Sequence, residues 1–155
     1  TVVEKGTELG VKRFVPVITE KSKVKIDDAA RARTKVLRYE KVALAAMKQC
    51  RRSYRPEITS PVRFDDYLKE IDSGSTNLIF HPAPGSHNLD DVEFEPGLKR
   101  VNLIVGSESG FSRDEIASAA EKGIMPVTLG ARVLRTETAG PVACALVMNK
   151  LGELR

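Results

Sequence analysis

Tryptophan is absent from this chain, and aromatic residues make up only 5% of its 155 positions. A surface that grips single-stranded nucleic acid by stacking base after base on aromatic rings is therefore not supported. Only two cysteines occur, Cys50 and Cys144, far apart and without metal-ligand spacing. Reduced thiols in a cytosolic compartment are the simplest reading. The two histidines, His81 and His87, have no cysteine partners nearby, so no zinc site and no other metal centre is expected. No apolar run approaches the roughly 20 residues that a membrane helix needs, so no membrane partner is expected. The opening Thr1-Val2-Val3-Glu4-Lys5 lacks the pattern of a signal peptide. A cytoplasmic location follows, or an organellar one if a transit peptide has been removed. The first residue is not Met, which points to a piece of a longer chain.

What is present is an ordinary apolar share, 41%, and enough length for one domain over residues 1–155 with a real core. The net charge of +4 is unevenly spread. Residues 11–55 hold 14 Lys and Arg against 4 Asp and Glu, a net of +10. Residues 56–155 hold 10 against 15, a net of −5, and residues 1–10 add −1. Such a basic block is either an electrostatic footprint for a polyanion or a solvated helix face.

The hydrophobic pattern predicts strands alternating with helices. A helix is expected over 2–9, stopped by Gly10, and a strand over 13–18. Asp27 or Asp28 can cap a long helix to about Arg52, with Val36, Leu37, Val42, Ala43, Ala46 and Met47 at helical spacing. Strands follow at 56–59, 78–80, 101–105 and 125–129, and helices at 64–71, 112–121 and 141–151. The run 101–105 is apolar throughout, as in a strand buried on both faces. The Pro- and Gly-rich segment 82–97 reads as an ordered loop or short hairpin. This alternation predicts an α/β fold, a mostly parallel sheet with helices on both faces.

Two segments carry chemistry. The first is Gly106-Ser107-Glu108-Ser109-Gly110-Phe111-Ser112, directly after the apolar strand. Ser112 and Glu115 then form a capping-box pattern at the start of the next helix. A strand, a glycine loop and a helix start suit a polar cofactor, although the spacing is not that of dinucleotide or phosphate loops. Glycines used only for a tight turn would look the same. The second segment is Leu129-Gly130-Ala131-Arg132-Val133-Leu134-Arg135-Thr136-Glu137-Thr138-Ala139. Arg132 and Arg135 offer forked donors for phosphate or carboxylate, and Glu137 can pair with either. A structural Arg–Glu pair tying loop to helix is the competing reading.

Together these two segments resemble the C-terminal motifs of the bacterial-type 16S ribosomal RNA uridine N3-methyltransferases, of the SPOUT class. The stretch 4–11, and the stretch 45–52 followed by Pro56-Glu57-Ile58, are similar to the family's opening helix, central helix and next strand, so the resemblance covers nearly the whole chain. The family's loop usually reads Gly-Pro-Glu-Gly-Gly, whereas Ser107 and Ser109 stand here, and a serine at a position needing positive φ would be strained.

The resemblance implies an S-adenosylmethionine cofactor in a deep trefoil knot, and a homodimer with its site near the subunit interface. It also implies that the family's small RNA-binding domain, which precedes this region, is missing here. The cofactor-binding residues implied are Phe80, His81, Gly106, Glu108, Gly110, Leu129, Gly130, Leu134, Arg135, Thr136, Thr138 and Ala139. Arg132 and Arg135 would stabilise a uracil anion, with Glu137 as base or as their orienter. The RNA-facing set would be Arg13, Lys21, Lys23, Lys25, Arg38 and Arg52, and the partner ribosomal RNA or the small ribosomal subunit. A SPOUT enzyme acting on a tRNA or rRNA ribose and a non-catalytic RNA-binding relative are the alternatives.

Overall fold

The computed structural model describes residues 1–22, 28–72 and 74–154. Helix α1, Val2–Glu8, leads into two short strands, β1 Arg13–Phe14 and β2 Val17–Ile18. The single strand expected over 13–18 is thus interrupted at Val15 and Pro16, since proline has no N–H to give a ladder. Helix α2, Ala29–Gln49, is capped by the Asp28 carboxylate, which accepts from the Ala30 N–H. The helix ends with Arg51 in the left-handed region at φ 57°, and the Arg52 N–H returns to the Met47 carbonyl at 3.0 Å. That turn delivers the Arg52 side chain to the end of α1.

Next come β3 Glu57–Ile58, β4 Val62–Arg63 and α3 Phe64–Glu70. Strand β5, Thr76–Phe80, is followed by β6 His87–Asn88 and a 3-10 turn over Leu89–Asp91. The chain closes with β7 Val101–Val105, α4 Arg113–Glu121, β8 Met125–Thr128 and α5 Thr136–Lys150. Every pairing among the described residues is parallel. The main sheet runs β6-β8-β5-β7, while β1 pairs with β3 and β2 with β4.

Alternation along β5 builds the core. Ile79 faces Phe64, Leu68, Ile104, Phe111, Ala119 and Ile124 on one side of the sheet, under α3 and α4. Leu78 and Phe80 face Val127, Ala143 and Val147 on the other, under α5. Helices therefore cover both faces, as expected. Leu78, Ile79 and Val127 are at most 1% exposed, and each such side chain contributes about 1.5–3 kcal/mol by burial.

The structure departs from the expected pattern at several further points. The segment 82–97 holds no hairpin, because β6 joins β8 in parallel. Strand β4 had no forecast, being two residues long. Strand β7 sits at the sheet edge; both its faces are packed, but only Ile104 is fully buried. The last helix begins at Thr136 rather than 141, and Pro141 lies inside it. Its missing N–H leaves the Glu137 carbonyl without the usual helical donor.

Candidate functional site

The carboxyl ends of β7, β5 and β8 lie side by side, and both motif segments start there. This is where open parallel sheets hold their ligands. Gly106 follows β7, His81 follows β5, and Leu129 and Gly130 follow β8. The Thr136 hydroxyl donates to the Gly106 carbonyl at 2.8 Å, so the two segments meet although 30 residues separate them.

The first loop is tightly built. The Gly110 N–H bonds the Ser107 carbonyl at 2.9 Å, and Gly110 takes φ 66°. The left-handed position is thus the glycine; Ser109 is not among the positive-φ residues, so serine there carries no backbone strain. A Cβ on Gly106 would stand 3.0 Å from the Phe111 ring and 3.3 Å from the Gly110 Cα. The capping box is complete: the Ser112 hydroxyl accepts from the Glu115 N–H, and the Glu115 carboxylate accepts from the Ser112 N–H at 2.8 Å. The other Glu115 oxygen accepts from the Glu20 N–H at 2.8 Å, and Lys21 Nζ donates to the Phe111 carbonyl at 2.9 Å. These two bonds fasten the basic N-terminal segment to the loop.

The second loop is open. Gly130, with φ 109°, Ala131, Arg132, Val133 and Arg135 are exposed, and Leu129 and Leu134 are half-buried. An added Cβ at either Gly110 or Gly130 would meet nothing within 4 Å, so bare backbone faces open space on both loops. The Thr128 hydroxyl bonds both the N–H and the carbonyl of Gly130, fixing the turn. Arg135 caps α5 through its carbonyl, which accepts from Thr138 and Ala139. Its guanidinium lies 3.9 Å from the Glu137 carboxylate, both side chains being largely in solvent.

Phe80 is buried in the core, whereas half-buried His81 donates its N–H to the Val127 carbonyl and sets its ring edge-on to Phe111 at 6.5 Å. Of the basic residues, Lys21 reaches the glycine loop. Arg13 is exposed and pairs with Glu57 at 3.4 Å, and Arg38 is exposed on α2. Arg52 donates to the carbonyls of Thr7 and Gly10 at 2.9 and 3.2 Å, closing the end of α1, so two of its donors serve the fold. Lys23 and Lys25 lie outside the described residues. Thr128 and the tie made by Glu115 to Glu20 had no sequence signal beyond the capping pattern.

Comparison with known proteins matches this geometry to a family. A model of the RNA methyltransferase domain matches residues 1–148. The chain is 37% identical over 149 residues to the ribosomal RNA small subunit methyltransferase E of Aquifex aeolicus, covering 96% of this chain and 62% of that protein. It is 33% identical over 156 residues to the protein of the same name from Buchnera aphidicola of Acyrthosiphon pisum, covering 99% and 59%. The Neisseria gonorrhoeae ribosomal RNA small subunit methyltransferase E, solved bound to S-adenosyl methionine, superposes with a TM-score of 0.87 at 33% identity, over 97% of this chain and 60% of that one. A Legionella pneumophila protein solved in complex with the cofactor SAM gives 0.87 at 38% identity, over 96% and 59%. The chain thus spans about three fifths of the length of the relatives it matches. With the family model running over residues 1–148 and the fold shared at this level, the chain belongs to the RNA methyltransferase domain family.

Proposed function

We propose that residues 1–155 act as a catalytic domain that transfers a methyl group from S-adenosylmethionine to N3 of a uridine in small-subunit ribosomal RNA. The observation that carries this reading is the junction of the two glycine-bearing loops at the strand ends, sealed by Thr136 on Gly106. Relatives solved with the same cofactor support it.

The residues fit the cofactor. Gly110 and Gly130 leave open backbone facing outward, and half-buried Leu129 and Leu134 give apolar surface for adenine and ribose. When bound, S-adenosylmethionine supplies an electrophilic methyl group. Neutral uracil N3 is a poor nucleophile, so its proton must leave. The guanidinium groups of Arg132 and Arg135 stabilise the resulting anion. The 3.9 Å pair with Arg135 supports a role for Glu137 in orienting that guanidinium. Arg13 and Arg38, both exposed, offer basic side chains to RNA phosphates.

The reading brings with it the knotted fold around the site, a cytoplasmic location and a homodimer. Support for the dimer comes from α5: Ala143 and Val147 fill the chain's own core, while Leu146 and Leu151 remain 42% and 37% exposed. Light scattering at micromolar concentration should give twice the 17.0 kDa chain mass; a monomer alone refutes the dimer.

The function is tested by incubating the chain with S-adenosylmethionine and unmethylated small ribosomal subunits, then mapping the product by mass spectrometry. One 3-methyluridine is expected. A 2′-O-methyl product would favour a ribose-modifying enzyme. Failure both to bind the cofactor and to methylate would favour a non-catalytic RNA-binding relative.

A further inference from the structure

A cavity of about 280 Å³ lies between the glycine loop and the N-terminal strands. Its apolar wall is Pro16, Val17, Ile18 and Pro61, and its charged groups are Lys21, Lys35 and Glu108. We propose that this cavity seats the target base, a uracil turned out of the RNA, and that Glu108 takes its N3 proton. The inference rests on the methyl-transfer function proposed above.

Three features converge. The first is shape and polarity. A flipped base needs a small pocket with apolar sides and a few polar groups for its pairing edge. The cavity has this composition, and Ser107 and Ser109 add hydroxyls at its rim. The second is the match of hydrogen bonds. The uracil edge presents acceptor, donor, acceptor: O4, N3–H, O2. The Glu108 carboxylate is an acceptor for N3–H that can also take its proton, and ammonium or hydroxyl donors suit the flanking oxygens. Cytosine presents no proton at N3 and a donor at N4, so the same groups disfavour it. A phosphate is disfavoured by Glu108.

The third is position. Ser107, Glu108 and Ser109 belong to the loop that begins at Gly106, where Thr136 docks. Reacting atoms must approach within about 3–3.5 Å, and Ser107 to Ser109 are the residues by which the cavity and the first loop of the proposed cofactor cleft share one wall. Lys21 is held at the cavity wall by its bond to the Phe111 carbonyl, leaving two of its three protons for the substrate.

The step balances. The N3–H bond breaks and its proton goes to the Glu108 carboxylate. The N3 electron pair forms the bond to the methyl carbon, and the sulfur–methyl bond breaks with its pair left on sulfur. The sulfonium charge and the carboxylate charge disappear together, giving S-adenosylhomocysteine, N3-methyluracil and a neutral Glu108. Lys21 and Lys35 stabilise charge on O2 and O4 as the proton departs.

The test compares the parent chain with Glu108→Gln under single-turnover conditions, with cofactor and small-subunit RNA both saturating. Glu108→Gln should bind S-adenosylmethionine as the parent does in calorimetry, yet methylate about 100-fold more slowly at neutral pH, the usual scale for loss of a general base. Its rate should climb with pH as uracil ionises unaided. RNA carrying 5-fluorouridine at the target, whose N3 proton is more acidic, should recover most of the loss. Lys35→Ala, outside the loop, should raise the KM for RNA and leave cofactor affinity unchanged. A Glu108→Gln variant with the parent's rate and pH profile overturns the inference while the function stands. So does one whose cofactor affinity falls in step with its rate. A parent chain that neither binds the cofactor nor methylates refutes both.

Discussion

The two loops at the ends of β7 and β8 are built to opposite plans. The first, from Gly106 to Ser112, is anchored by a completed capping box, a buried Phe111 and two ties to residues 20 and 21. The second, from Leu129 to Arg135, stands in solvent: Val133 is 81% exposed, and the Arg135 side chain is 82% exposed. They are joined by the bond from Thr136 to Gly106. A loop braced from three directions holds its groups in place before a ligand arrives, at no ordering cost on binding. An exposed loop of two arginines and an uncovered valine has the surface that a substrate, cofactor or second subunit would cover. From the difference we infer pre-organisation in the first loop and charge supply in the second.

The largest expected effect separates those roles. Arg135→Ala should slow methylation about 100-fold or more, as loss of one electrostatic contact to the transition state typically does, and Arg135→Lys less, since it keeps the charge but not the fork. Thermal melting should hardly move, because an exposed pair at 3.9 Å contributes about 0–1 kcal/mol. A clear drop in melting temperature with Arg135→Ala would make the second loop structural after all.

The converse applies to the first loop. Glu115→Ala removes the reciprocal half of the cap and the acceptor for the Glu20 N–H, leaving a buried Ser112 N–H and a part-buried Glu20 N–H without that partner. It should cost about 1–3 kcal/mol, read as a lower denaturant midpoint, with weaker cofactor binding as the loop loosens. Unchanged stability would mean that the bracing is dispensable.

The smallest effect concerns the core beneath α5. Burial raises the Cys144 thiol from the ordinary 9.0 to about 11. A thiol raised in this way favours the folded state fully below pH 9, and that contribution is lost as pH climbs through 11. Stability should therefore decline between pH 9 and 11, less so in Cys144→Ala. An identical decline in both proteins would assign the alkaline loss elsewhere.

Much of this contrast was readable in the residue order. The capping pattern at Ser112 and Glu115, the apolar run 101–105 and the glycines at 106, 110 and 130 each encode local geometry through backbone freedom or periodicity. The start of α5 was not, because Pro141 reads as a first-turn residue by its tolerance there, while the structure carries the helix back to Thr136. Strands β4 and β6, two residues each, are too short for a period to show. Least legible were the long-range ties. Lys21 to Phe111 spans 90 residues and Glu20 to Glu115 spans 95, and nothing local marks a lysine as a brace rather than a phosphate contact. Arg52 teaches the same lesson, with two of its donors given to carbonyls of 7 and 10.

The central claim is that the two loops form a single cofactor site. Amide hydrogen exchange measured with and without saturating S-adenosylmethionine tests it most directly. The account predicts protection at residues 106–111 and 129–139 together, larger in the second loop because the first is already ordered. Protection confined to one loop, or to neither while the cofactor binds, would contradict it.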